Sequence, residues 1–243
     1  MTKSDSYGKP QPPKPFLELL QSLLTNKKGI EIGGPSYLFK TGLPIYQFMG
    51  SLDCANFSSE TIWEGSIQAG QSFNYFEGKT GTQFISDGTN LDRIESKTYD
   101  FLVSSNCLEH IANPLKALKE WKRILKDTGF IVLVLPAKES NFDHRRAVTS
   151  FEHLLEDLIN QTTEKDMTHL DEILALHDLA LDPPAGNLEQ FRLRSLDNFN
   201  NRTLHHHVFD FPLIKRMLEY CNFEIINMSK SDTDFFAVAV LKI

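Results

Sequence analysis

The chain reads as an α/β protein with a doubly wound, mostly parallel sheet, on three observations. Apolar strand-like runs alternate with helical stretches along most of its length, the order that builds a parallel sheet through right-handed crossovers. One run, "FIVLVLP" over 130–136, is almost continuously aliphatic, as a central strand covered on both faces must be. The last two runs, "FEIINMSKS" and "DFFAVAVLKI", are separated only by a short polar turn around "SKSDTD". A parallel pair needs a long crossover, so these two are antiparallel neighbours.

Residues 1–15 carry Pro10, Pro12, Pro13 and Pro15 and read as a flexible or polyproline-like leader. A single domain is expected over 16–243. It opens with a helix, where Phe16, Leu19, Leu20, Leu23 and Leu24 recur at helical spacing behind Pro15. A strand at 28–32 runs into Gly33-Gly34-Pro35-Ser36, and a second at 50–54 follows. The stretch 57–81, rich in Gly, Ser and aromatics, is expected to be irregular or a hairpin. A short strand ends at Asp87 and another spans 99–104. A helix then starts near Pro114, with Leu115, Leu118, Trp121 and Leu125 as its apolar stripe and Gly129 past its end. After the strand at 130–136 the pattern breaks. Residues 137–209 are charged and histidine-rich and hold two helical stretches, "VTSFEHLLEDLINQ" and "HLDEILALHDLAL", so they read as a helical cap inserted in the alternation. A helix at about 210–221 and the two closing strands bring the sheet to seven strands.

Composition excludes several classes. A length of 243 residues and 41% hydrophobic content support one large core. The formal net charge of −7 leaves no overall field to attract a polyanion, which argues against a nucleic-acid substrate. Cys54, Cys107 and Cys221 are odd in number and far apart, which fits a reducing compartment. The N-terminus has no apolar signal-like core, and no uncharged apolar run reaches about 18 residues. A soluble, cytoplasmic protein without a membrane span is expected.

In an open α/β sheet, ligands bind beyond the carboxyl ends of the strands. The first such end is "EIGGPS", where glycine lets the backbone approach a ligand and a following helix favours anionic groups. Its spacing is not G-x-G-x-x-G, and alone it does not separate a dinucleotide from ATP or S-adenosylmethionine. The second end carries Asp53, suited to ribose hydroxyls. The third carries Asp87 and Gly88, suited to an adenine amino group. Either aspartate alone is equally at home as a helix cap or turn residue.

The fourth end separates them. Tyr99-Asp100, Leu108-Glu109-His110 and Leu125-Lys126-Asp127-Thr128-Gly129 fall in order along "YDFLVSSNCLEHIANPLKALKEWKRILKDTGFIVLVLP". This region resembles the stretch of class I S-adenosylmethionine-dependent methyltransferases (methyltransferase type 11-like) from the fourth strand into the fifth, with Asp-Thr in place of the family's Pro-Gly. The resemblance covers about residues 25–136, and the closing elements by topology. It implies a Rossmann-like fold and S-adenosylmethionine as cofactor. It further implies that Glu31 and Gly33 shape the methionine end of the site, Gly34 admits the cofactor, Asp53 holds the ribose, Asp87 and Gly88 the adenine, and Asn106 and Cys107 lie beside the transferable methyl. Pro35 departs from the family's usual glycine.

The acceptor is less legible. Transfer to a neutral hydroxyl needs a general base and positioning, and His110 and His144 are the candidates. Arg145, Arg146 and Arg202, with His206, offer a clamp for an anionic acceptor such as a sugar nucleotide or phosphorylated glycan. The structural alternative is an ion-paired cap tied by Asp143, Glu152 and Asp157. No metal is expected, because no H-x-x-x-H or supporting cysteine appears and adjacent histidines cannot all point inward. His169 and His177 read as surface or capping residues. The leading reading is methyl transfer to a small-molecule or glycan acceptor, and the chain resembles bacterial glycan-associated methyltransferases. The alternatives are a non-catalytic cofactor-binding module partnering a glycosyltransferase, and an NAD-dependent oxidoreductase.

Overall fold

The computed structural model describes residues 14–242. The expected leader therefore lies outside the described residues, except that Lys14 and Pro15 open the first helix, α1 (Lys14–Leu24), whose Phe16, Leu20 and Leu24 form a buried stripe. The strands are β1 (Lys28–Ile32), β2 (Ser51–Asn56), β3 (Glu60–Thr61), β4 (Gly65–Ser66), β5 (Gly70–Phe76), β6 (Lys79–Ile85), β7 (Tyr99–Ser105), β8 (Leu125–Pro136), β9 (Phe223–Lys230) and β10 (Asp234–Leu241).

Eight of them form one sheet in the order β5-β6-β2-β1-β7-β8-β10-β9, while β3 and β4 make a separate small hairpin. β6, β2, β1, β7 and β8 run parallel. β10 is antiparallel to both β8 and β9, as the short closing turn requires. The expected count of seven strands is corrected by β5, which folds back on β6 as an antiparallel edge. Its alternation is diluted by Gly70, Gln71, Ser72 and Asn74, so period-2 patterning does not stand out.

β8 accounts for its own hydrophobicity. Ile131, Leu133 and Leu135 enter a core with Trp121, Met217 and Phe223 on one face. Phe130, Val132 and Val134 enter a second core with Leu20, Phe39 and Tyr46 on the other. α2 (Pro114–Ile124) is started by the Asn113 side chain, which accepts from the Lys116 amide at 3.1 Å, and by Pro114 in its first turn. Leu125 belongs to β8 instead of closing the helix.

The insertion over 137–209 holds α3 (Phe151–Asn160), α4 (Leu170–Leu176), α5 (Leu188–Leu196) and α6 (Asn198–Asn201). α5 is not marked in the sequence because only its Phe191 is a buried apolar residue, whereas Leu188, Leu193 and Leu196 are exposed. It is held instead by a reciprocal Asn187–Gln190 cap. The insertion has a small core of its own, Ile173, Ala185, Phe191 and Leu204. α7 (Phe211–Tyr220) follows, capped by Asp210. Among the described residues no helix is long and apolar enough to cross a membrane.

Candidate active site

A cavity of about 950 Å³ opens where β1, β2, β6 and β7 end, with the insertion as its far wall. Gly33 follows β1 with φ +82°, in the left-handed region, and a Cβ there would lie 2.7 Å from Cys107 Sγ. Only glycine keeps this wall open. Beneath the loop, Glu31 is fully buried and outside the cavity lining. It accepts from the Ser36 amide at 3.0 Å and the Tyr46 hydroxyl at 2.7 Å. Burial pushes its carboxyl up to about 8. Gly34 also lies behind the lining, because any Cβ there would meet the Glu31 carboxylate at 2.3 Å. Glu31 and Gly34 thus shape the loop from behind.

Asp53 requires a correction. β2 continues three residues past it to Asn56, so Asp53 sits toward the opposite end of the strand. There it accepts from the Thr82 amide at 2.7 Å and the Tyr99 hydroxyl at 2.9 Å, and faces Lys28 Nζ at 3.7 Å. The residue at the cavity is Asn56, whose amide donates to the Gly34 carbonyl at 2.8 Å. Asp87 and Gly88 do line the cavity. One Asp87 oxygen accepts from the Thr89 amide and hydroxyl at 2.8 and 2.7 Å; the other meets Arg202 Nη2 at 3.1 Å. The Gly88 carbonyl is fixed by the Trp121 indole at 2.8 Å. Asn106, at φ +47°, and Cys107 complete this half. Desolvation pushes the Cys107 thiol up to about 12, which leaves it protonated and unreactive.

The other half is built by Glu109, His110 and His205, whose ligand-bearing atoms all lie within 4.8 Å of one another. His110 Nδ1 lies 3.1 Å from the Leu204 carbonyl, so the neutral ring donates there and leaves Nε2 as an acceptor. Desolvation and the neighbouring His205 hold His110 well below the ordinary histidine range. His205 Nδ1 lies 2.6 Å from Asp143 Oδ2. Burial opposes its protonation, but the carboxylates of Asp143 and Glu109 outweigh burial and raise it. Asp143 is likewise buried, yet His205 and Arg146 hold it down at about 2. Glu109 is buried with neither oxygen hydrogen-bonded, and burial pushes it up to about 7. Two unsatisfied buried oxygens facing a cavity mark a place where a polar ligand belongs.

Glu109, Asp143 and His205 are thus the residues that sequence reasoning left out of its site. Glu109 sat inside the quoted Leu-Glu-His motif and Asp143 and His205 inside the noted charged stretches. Nothing in the sequence tells which of three adjacent histidines faces inward.

Several expected residues lie elsewhere. His144 is not at the cavity: its Nε2 lies 2.9 Å from Asp178 Oδ2, which Arg145 shares at 2.8 Å. Arg146 is buried, donating to Asp143 at 3.0 Å and to the carbonyls of His205 and His206 at 2.7 and 3.2 Å. His206 faces Asn198 at 3.0 Å and Glu164 at 3.2 Å, and burial pushes it down to about 4. Of the expected clamp only Arg202 lines the cavity. It is bridged between Asp87 at 3.1 Å and Glu164 at 2.9 Å, and packs on the Phe57 ring. All three arginines are ion-paired, but of the expected carboxylates only Asp143 ties one of them; Glu152 pairs with Arg216 and Asp157 faces His153 and His207. Arg146→Ala is expected to destabilise the fold by about 3–5 kcal/mol, since it leaves one oxygen of buried Asp143 and the His205 and His206 carbonyls without their donor. Arg145→Ala, at a half-exposed pair, should cost no more than about 1 kcal/mol. Urea unfolding of both variants measures the difference.

A methyltransferase domain family model matches residues 55–227. No curated protein matches the chain in sequence. Solved structures share its architecture. A SAM-dependent methyltransferase from Aquifex aeolicus is 12% identical with a TM-score of 0.54, over 98% of this chain and 94% of that one. One from Methanosarcina mazei is 15% identical with a TM-score of 0.52, over 93% and 97%. The 1,6-didemethyltoxoflavin-N1-methyltransferase of Burkholderia thailandensis, with 1,6-didemethyltoxoflavin and S-adenosylhomocysteine bound, is 8% identical with a TM-score of 0.53, over 95% and 78%. With the domain match across most of the sequence and the glycine-walled cavity at the strand ends, the chain belongs to the methyltransferase domain family and is a class I S-adenosylmethionine-dependent methyltransferase.

Proposed function

We propose that the chain methylates a hydroxyl of a small-molecule or glycan acceptor, within a single domain whose insertion over 137–209 caps the acceptor. The observation that carries this reading is one cavity with a glycine-walled half at Gly33, Asp87 and Gly88 and a half at Glu109, His110 and His205 in which both Glu109 oxygens lack a hydrogen bond. When bound, S-adenosylmethionine supplies an electrophilic methyl group on a sulfonium. Gly33, Asn56, Asp87, Gly88, Asn106 and Cys107 would hold it. His205 Nε2 takes the acceptor's proton, and the Asp143 carboxylate stabilises the imidazolium that results. Glu109 orients the same hydroxyl.

The acceptor is neutral on this reading. Arg145 and Arg146 are committed to internal carboxylates and carbonyls, and Arg202 is held between Asp87 and Glu164. Meanwhile Trp63 and Tyr37, both partly exposed in the lining, offer flat apolar faces of the kind that pack against sugar rings. Reducing cytoplasm suits the three free cysteines, and the net charge of −7 argues against a nucleic-acid acceptor.

Calorimetry with S-adenosylhomocysteine and NAD tests the cofactor half. The former should bind at micromolar Kd and the latter not at all. Asp53→Ala should leave that affinity within about twofold, because Asp53 only braces the strands. A tenfold loss would return Asp53 to the ribose role. Labelled methyl donor with neutral and phosphorylated sugars then tests the acceptor, and turnover on phosphorylated sugars alone would overturn the neutral reading.

A further inference from the structure

Three histidines that the reaction does not use converge inside the insertion. His153 lies on α3, His169 immediately before α4, and His207 on the segment leading to α7. His153 Nε2 and His169 Nε2 are 2.9 Å apart. The ring centroids are separated by 4.7, 5.8 and 5.7 Å, and one nitrogen from each ring falls within 4.8 Å of the others. Two nitrogens on one tetrahedral zinc, with Zn–N near 2.0–2.1 Å, stand about 3.3 Å apart, a few tenths of an ångström from the closest pair here.

Each ring turns its other nitrogen outward, with that of His207 within hydrogen-bond distance of a carbonyl and those of His153 and His169 toward more distant carboxylates. His153 Nδ1 faces Glu156 at 4.0 Å, His169 Nδ1 faces Glu172 at 3.7 Å, and His207 Nε2 lies 3.1 Å from the Ala112 carbonyl. A simple His153–His169 hydrogen bond does not account for the rest. It leaves His207 Nδ1 and Asp157 Oδ2 buried with no hydrogen bond, which is costly for buried polar atoms. Asp157 Oδ2 is also 3.4 Å from His153 Nε2 and 3.6 Å from His207 Nε2. One cation among the rings would give His207 Nδ1 a partner along with the paired nitrogens of His153 and His169, while Asp157 Oδ2 stays on the Nε2 side of His207.

We propose that His153, His169 and His207 bind one divalent cation of the zinc class that staples α3, the start of α4 and the segment leading to α7 together. Two of these segments already meet the loop between β7 and α2, where His207 faces the Ala112 carbonyl and the Asn113 amide donates to the Asp157 carbonyl at 2.8 Å. The staple has a purpose here. The insertion's own core is small, Ile173, Ala185, Phe191 and Leu204 with Met167, Leu174 and Leu179 packed against it, so an added cross-link would contribute to holding it together. The ligands come from three separate segments, so no short spacing announces them in sequence.

The test uses the full chain, stripped with EDTA and then titrated with Zn²⁺ and with Co²⁺ as a visible probe. One ion per chain should bind, the Co²⁺ form should absorb in the visible, and Zn²⁺ should restore the melting temperature lost on stripping. His153→Ala with His169→Ala should weaken Zn²⁺ binding at least about a hundredfold, while Glu109→Gln leaves it intact. A folded wild-type chain that binds no stoichiometric Zn²⁺ or Co²⁺ overturns the proposal, whether or not the variants fold. Binding lost in Glu109→Gln but kept in the double variant also overturns it, by moving the ion to the cavity. S-adenosylhomocysteine titrated into both forms reports separately on the methyltransferase site, so a failed metal site leaves that reading standing.

Discussion

His205→Asn is expected to lower kcat by about two to four orders of magnitude while S-adenosylhomocysteine affinity changes by less than about twofold. Its partner distinguishes it from His110. Asp143 can stabilise a positive imidazolium at His205, 2.6 Å away, whereas His110 is bonded to a neutral carbonyl and lies in surroundings that disfavour its charged form. His110→Asn should therefore cost at least tenfold less in kcat than His205→Asn, and the reverse order would make His110 the base. The pH profile carries the same assignment. A base must be deprotonated to act, and His205 is raised above the ordinary value of 6.5, so kcat/KM should fall on the acid side with a midpoint above 6.5. That limb should be absent from whatever residual rate the His205→Asn enzyme retains.

The second large effect concerns stability. The Glu31 carboxyl titrates near 4.5 when solvated and near 8 in the folded chain, because burial disfavours its anion. Between these values the native state holds a proton that the unfolded chain has released. Its contribution is therefore fully present below about pH 4.5 and is lost as pH rises toward 8. At about 1.4 kcal/mol per unit, the loss across that window is on the order of a few kcal/mol. Glu31→Gln removes the titration and keeps an amide oxygen for the Ser36 bond. Urea midpoints from pH 5 to 8 should fall for the wild type by more than for the variant, and equal slopes would show that Glu31 is not protonated in the fold.

Much of the scaffold was legible because it rests on local patterning. The two-sided aliphatic run of β8, the Asn113–Pro114 start of α2 and the short closing turn each carry their physics within a few residues. β5 was missed because polar residues and glycine blur its alternation, and α5 because its apolar residues do not share a face. At the site, Gly33, Asp87, Gly88, Asn106, Cys107, His110 and Arg202 reach the cavity. Asp53 does not, since where β2 ends is decided by pairing with β1 and β6 and not by the aspartate itself. The arginines were read correctly as charge and wrongly as clamp. Whether a guanidinium faces a ligand or a neighbour's carboxylate depends on residues as far as 33, 26 and 115 positions away for Arg145, Arg146 and Arg202, beyond a local motif.

Arg202 gives the last consequence. Its guanidinium is shared between Asp87, on the cofactor side, and Glu164, which also accepts from the Ala112 amide at 2.9 Å. A ligand that competes for Asp87 must alter how firmly the insertion is moored, and a ligand that shifts the insertion must alter Asp87. Thermodynamic reciprocity makes the two effects equal in factor. On the proposed arrangement donor and acceptor are therefore expected to bind interdependently, through the Arg202 pairs with Asp87 and Glu164.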